Sequence, residues 1–375
     1  MSSSKVTFSK SRRDFHNDLK ERVERYFVEN NLPRHATAAM VVKTIFWFSS
    51  TALLYALLLS DVLSPYPVAT MATWMVLGFC LACIGFNVGH DAIHGSYSDK
   101  KWVNGLLSWS FDFMGANSYT WSIAHNFVHH TYTNIPDVDK DIEPGPFIRL
   151  YPRYEGVYWF HRYQHFYAFF LYSLVSLIWV FVKDYEQIAQ RDPRTGKYAP
   201  VTEFVKLFIG KALHIGILLV VPLLVIEQPL WLIGLGYFAM HLVGGFTLSI
   251  VFQLAHVVDG PEFPRPDKKH EMNVSWAEHQ LMTTANFSAG KELATFITGG
   301  LNHQVEHHLF PRICHIHYPK LAPIVRQCAQ DHGLPYYESP TFLAAAASHA
   351  RLLKKAGSTV LEPPTESVEA GAVTA

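Results

Sequence analysis

Gly299 to Pro311 reads GGLNHQVEHHLFP. Within that stretch stand His303, Gln304, Glu306, His307 and His308. On a helix, residues three and four apart share a face, so His303 or Gln304 can sit one turn ahead of the His307–His308 doublet and point the same way. That is a metal-ligand spacing, and imidazole suits iron, copper or zinc. Two earlier stretches repeat it: His90-Asp-Ala-Ile-His94, and His125-Asn-Phe-Val-His129-His130. A tetrahedral zinc takes about four ligands. Three clusters exceed one mononuclear site and fit two metals in one nitrogen-rich pocket. A lone core histidine would show no such grouping.

The rest of the chain says where such a pocket sits. Of 375 residues, 49% are hydrophobic and 14% aromatic, while only 17% are charged, below the ~25% usual in soluble proteins. The formal net charge is zero, which argues against a nucleic-acid partner. Cys80 and Cys83 form a CxxC inside an apolar run and read as small buried side chains; nothing reads as a disulfide framework. The first 36 residues are polar and basic, with no signal peptide.

Apolar runs cover about 36–60, 68–88, 204–226 and 229–254, each near the ~20 residues that a membrane span needs. Residues 101–116 are amphipathic and interfacial. A fifth run, 167–182, is short. All three histidine clusters must reach one pocket, so an even number of spans must separate the second from the third; 167–182 is therefore expected to be interfacial or re-entrant. Links 61–67 and 227–228 carry no Lys or Arg, whereas the other flanks carry many. The positive-inside rule then places both termini and all three clusters in the cytosol. The expectation is an all-α integral membrane protein: a cytosolic segment 1–35 with an amphipathic helix at 14–30, a membrane domain 36–340 with four spans and a cytosolic helical cap, and a C-terminal helix with a disordered tail over 341–375.

Nitrogen-rich ligation at a membrane face suggests oxygen chemistry on a lipid. An unactivated C–H bond offers no charge to grip, so an enzyme must hold it by position in a narrow apolar tunnel. The three clusters, their order and their placement after hairpin spans resemble the membrane fatty-acid desaturases over roughly residues 35–340. Asn302, Gln304 and Glu306-His-His-Leu-Phe-Pro311 resemble the third histidine box of front-end members, in which Gln replaces a first histidine. His125-Asn with His129-His-Thr-Tyr-Thr-Asn134 and the following Asp-x-Asp-x-Asp resemble bacterial linoleoyl-type enzymes.

The resemblance implies two iron ions, dioxygen, two electrons, and an acyl-CoA, acyl-carrier-protein or phospholipid substrate that becomes an alkene. It implies His90, His94, His125, His129, His130, His307 and His308 as catalytic metal ligands, with His256 at the end of the last span as another. His303 and Gln304 both remain candidates: the family pattern favours Gln304, and imidazole basicity and spacing favour His303. Asp91, Asp137 and Glu306 are candidates to accept from ligand N–H groups. His161, His165 and His279 are candidates for supporting or headgroup contacts, and Arg149, Arg153 and Arg162 for a basic rim. No His-Pro-Gly-Gly haem motif occurs, which points to a separate donor, a ferredoxin or a cytochrome b5 with its reductase. The alternatives are an acetylenase or hydroxylase on the same scaffold, or a membrane zinc-binding or transport protein.

Overall fold

The computed structural model describes residues 6–10, 14–153 and 157–360. An amphipathic helix, α1 (Asp14–Glu29), buries Phe15, Leu19, Val23 and Phe27 on one face. Two long apolar helices follow, α2 (Ala38–Leu59) and α3 (Pro67–His94). Pro67 begins α3, where its missing N–H costs nothing, and Gly95 ends it at φ +71°. Then come α4 (Lys101–Phe113) and α5 (residues 118–132). Helices α6 (His161–Ser173) and α7 (Val175–Ile188) are bent by 54° at their junction. Two more long apolar helices, α8 (Val201–Val225) and α9 (Leu230–His256), complete the bundle.

Four helices are thus long and apolar enough to cross a membrane, or five if the bent pair counts as one. The short run over 167–182 falls on the bent pair. Most of the disordered tail expected after 356 lies outside the described residues, which end at 360.

Burial separates the four long helices into two inner and two outer. In α3 and α9, 56% and 50% of the most apolar window is buried; in α2 and α8 it is 28%. The inner pair meets through small residues. A Cβ on Gly78 would collide with the Met240 backbone, and one on Gly244 would lie 3.1 Å from the Gly78 carbonyl. Without a hydrophobic drive between helices in lipid, such close backbone approach is what holds spans together. Trp74 fills the space above Gly236 and is fully buried.

Beyond α9 the chain builds a cap of short elements: α10 (Trp276–Thr283), α11 (Glu292–Thr298), α12 (Gln304–Leu309), α13 (Tyr318–Asp331) and α14 (Phe342–Ala356). Two parallel strand pairs tie it down: β1 (Thr7–Phe8) with β2 (Glu271–Met272), and β3 (Ala285–Phe287) with β4 (Tyr337–Ser339). α1 packs on α13 and α10, so the N-terminal segment belongs to the cap.

The glycine contact is testable. Gly78→Val should prevent recovery of folded monomer on size exclusion, whereas Gly234→Val, where a Cβ meets nothing within 4 Å, should elute as the wild type does.

Candidate metal centre

The first histidine pair closes α3. The sequence expectation put it beyond the span, but the helix runs on through it. Just before the pair, Gly85–Gly89 is a π-helical turn. One extra residue per turn rotates everything after it, and it re-aims His90 and His94 toward the cap. Asn87 braces the turn, donating to Cys83 O (2.7 Å) and Ile297 O (3.0 Å).

The second cluster uses the same device. Ser122–His129 is π-helical. A wider turn lets positions four and five apart share a face, so His125, His129 and His130 converge; His125 Nε2 and His130 Nε2 are 3.2 Å apart. In α12 the doublet is split instead. Adjacent residues on a helix point ~100° apart, so His307 turns to one side and His308 to the other.

Two groups result. The ligand atoms of His90, His94, His125 and His307 lie within 4.8 Å of one another, as do those of His129, His256 and His308. The His130 ring stands between them, 4.6 Å from His307 and 4.3 Å from His308. His256, the last residue of α9, has its Nε2 3.3 Å from that of His129. Gln304 joins the second group: its Nε2 is 3.2 Å from His256 Nε2, and its buried Oε1 has no hydrogen-bond partner among the described residues. His303 stands in neither group; its Nδ1 is 3.8 Å from Glu306 Oε2.

Of these side chains only His94 is partly exposed; the others are buried. Burial pushes the imidazoles of His125, His130, His307 and His308 well below their ordinary range. They are neutral, as metal ligands must be. Ring nitrogens of His90, His94, His125, His130, His307 and His308 have no hydrogen-bond partner among the described residues. Buried polar atoms are rarely left so. Unpaired ring nitrogens gathered among clustered imidazoles fit metal ions, and iron is among the metals that imidazole suits.

The opposite ring nitrogens are held from behind. His129 Nδ1 is 2.9 Å from Asp139 Oδ2, which also accepts from Asn134 N. Burial lowers the His129 pKa, but the Asp139 carboxylate outweighs it and leaves the group above its ordinary value. His308 Nδ1 meets Gln280 Oε1 at 2.8 Å, His256 Nδ1 meets Thr283 O at 3.2 Å, and His307 Nδ1 meets Tyr318 OH at 3.3 Å. Such contacts fix the tautomer that presents Nε2 to a metal.

Several supporting roles differ from expectation. Asp91 accepts from His315 Nδ1 at 2.9 Å and stays 3.7 Å from His90. Asp137 is exposed and pairs with Arg265; Asp139, one turn-residue pair later, takes the inward role. Glu306 faces away, accepting from Asn286 and Tyr336. His279 braces the second cluster through Thr133 O (2.8 Å) and is buried, so it touches no headgroup. His161 binds Pro146 O, away from the site. Arg149 is buried against Ala356 O, and Arg153 pairs with Glu143 at 2.7 Å, so neither forms a free basic rim. Gln280 had no sequence signal of its own beyond the Ser275-x-x-Glu278 capping box that starts its helix.

A model of the fatty acid desaturases matches residues 66–340. The chain belongs to the fatty acid desaturase family. Similar proteins include the sn-1 linoleoyl-lipid 6-desaturase of Arthrospira platensis, 34% identical over 98% of both chains. The enzyme of the same description from Synechocystis sp. is 37% identical over 92% of this chain and 96% of its own. The acyl-lipid (8-3)-desaturase of Physcomitrium patens is 34% identical over 92% of this chain and 72% of its own. This desaturase is an oxidoreductase that introduces a C=C bond into a fatty acyl chain with dioxygen.

Two outcomes follow from the geometry. Asp139→Asn should lower metal affinity about 10–100-fold, the usual effect of removing a partner behind a ligand, with far-UV circular dichroism unchanged. Chelation should lower the thermal midpoint, and returning metal should restore it.

Proposed function

We propose that the chain is a front-end acyl-lipid desaturase: it removes two hydrogens near the carboxyl end of an acyl chain esterified to a membrane lipid, at two iron ions. The observation that carries this reading is the convergence of eight histidines and Gln304 into two buried groups at one end of an apolar bundle. His90, His94, His125 and His307 would hold one iron. His129, His256, His308 and Gln304 would hold the other, with His130 between them. Gln304 is preferred to His303 because only Gln304 reaches the second group.

Bound there, the iron pair supplies dioxygen activation and removal of hydrogen from an unactivated methylene. The balance is one CH2–CH2 unit, one O2, two electrons and two protons to one CH=CH unit and two waters. The chain's own part is placement and exclusion. Asp139, Gln280, Thr283 and Tyr318 hold the imidazoles in position, and the cap keeps water from the site. Trp121 stacks on His125 at 4.1 Å and Phe252 lies 5.5 Å from it, giving the pocket an apolar wall for a methylene to rest against.

A lipid-linked substrate is supported by the names of the relatives, and two of the three rim arginines are taken up within the fold, with Arg162 exposed. An acyl-CoA carries phosphates, and Arg149 and Arg153 are already engaged. The front-end position is supported by Gln304 and by the 6-desaturase relatives. Electrons would come from a ferredoxin or cytochrome b5 type donor. Links 61–67 and 227–228, without Lys or Arg, support a cytosolic site at the other end of the bundle.

Lipid analysis of an expressing host tests the reading. New double bonds on the carboxyl side of existing ones, in glycerolipids before the acyl-CoA pool, are expected from the wild type and not from the His307→Ala, His308→Ala double variant. Hydroxyl or alkyne products would move the assignment to a sister chemistry. Gln304→Ala should lower activity ~10-fold or more with reduced iron content, as loss of a ligand-side group does; an equal loss in His303→Ala, with Gln304→Ala fully loaded, would reverse the assignment.

A further inference from the structure

The reaction consumes two electrons, and the site that takes them is closed off. Of the ligand side chains only His94 is partly exposed. A donor's own cofactor therefore cannot touch them, and each electron must cross protein. Trp121, Tyr318 and Trp276 are the aromatic side chains placed to carry it inward.

Their surroundings separate them. Trp121 stacks on His125 at 4.1 Å, but its other neighbour is Phe111 at 4.8 Å, which leads on to Trp179 in the bent helix pair. That is the side of the membrane helices, away from a water-soluble donor. Tyr318 OH is 3.3 Å from His307 Nδ1, but the residue is 1% exposed and reaches one ligand group alone. Trp276 lies in the cap and is partly exposed. Its Nε1 donates to His130 O at 2.9 Å. Its ring meets that of His16, on α1, at 5.8 Å, and His16 is partly exposed too.

The backbone fixes this contact at both ends. Trp276 is the first residue of α10, and the reciprocal hydrogen bonds of Ser275 and Glu278 set how that helix starts. His130 stands in the last turn of α5, where carbonyls lack a partner within the helix. The indole N–H takes that carbonyl. From there the path is the His130 backbone and ring. That ring is 4.6 Å from His307 and 4.3 Å from His308, and its Nε2 is 3.2 Å from His125 Nε2. It borders both ligand groups, so one path serves both.

Resting on the two-iron reading above, we propose that electrons from a one-electron donor of the iron–sulfur or haem class come in across the His16 and Trp276 rings and pass through the Trp276–His130 hydrogen bond to both ligand groups. Each step oxidises one donor by one electron and reduces one ferric ion to ferrous. Two steps supply the two electrons of the balance given above, and no bond in the protein forms or breaks. The indole couples donor to site without holding the electron itself.

The test uses the full iron-loaded chain in nanodiscs and supplies the electron by light, so that no donor protein need be known. The four native cysteines are buried, and a ruthenium polypyridyl reductant will bond to a cysteine placed on the surface. Lys20→Cys, one turn after His16 on α1, sets the reductant at the outer end of the path. Lys320→Cys, two residues after Tyr318 on α13, sets it on the other approach, toward His307. Reduction of iron after a flash is followed spectroscopically without oxygen. Trp276→Phe keeps a ring and loses the N–H. It should slow reduction from position 20 about tenfold or more, read as a ratio of rates on the same labelled chain. The rate from position 320, the iron content and the reduction potential should stay those of the wild type. An equal fall from both positions makes Trp276 a brace for His130 and overturns the path, as does an unchanged rate from position 20. Should Trp276→Phe lose iron, His16→Leu leaves the indole and its hydrogen bond in place and carries the same comparison. A fall from position 20 alone then upholds the path, and any other result overturns it. A wild type that takes up no redox-active iron, with no reduction from either position, overturns the two-iron reading and this proposal with it.

Discussion

Buried imidazole nitrogens without partners are the constraint on which the structure turns. Each unsatisfied buried polar group costs ~1–3 kcal/mol. Six of the site histidines and Gln304 each contribute at least one such atom. Together they approach the ~5–15 kcal/mol of net stability that a folded domain commands. A bound metal would use those lone pairs, and its binding would then be part of the folding free energy. The shell behind them is the reverse case. Asp139, Gln280, Thr283 and Tyr318 satisfy one ring nitrogen each of His129, His308, His256 and His307, which leaves their Nε2 atoms to the pocket.

Bringing these side chains from four separate segments to one point needs each to be aimed. The two π-helical stretches do this for the first and second clusters. A regular α-helix would leave His129 on the face of His125 but turn His130 away from it; the wider turn gathers all three. In α12 the helix stays regular, and the same doublet spacing now serves to span both groups. One sequence pattern, a histidine pair, is thus read in two ways by two backbone geometries.

The convergence of the three histidine clusters was legible in the sequence because the histidines come in short-range groups: spacing within each cluster survives any plausible fold. The four long helices were legible for a similar reason, as their apolar runs are set by length and composition alone, and the observed bounds differ by a few residues. What was not legible depends on contacts between distant segments. Asp139 and Asp137 are equivalent in the sequence, and only the turn after Asn134, with φ +56°, points one inward. Gln280 reaches His308 from another helix. Arg149 reads as a free cation until α14 is seen to cover it. The π turns leave no mark on hydropathy.

The inner helix pair supplies the remaining link between membrane and chemistry. α3 ends on His90 and His94, and α9 ends on His256. Each contributes to a different ligand group, so the separation of the two groups is set where the helices touch. That contact is glycine against backbone, Gly78 with Met240 and Gly244 with Gly78, the closest and least compressible approach two helices have. Small residues deep in the bundle therefore act as the gauge for the metal centre at its end. The same logic separates the long helices by role. α2 and α8 face outward and carry no assigned ligand, while α3 and α9 are buried over about twice the share of their apolar stretch.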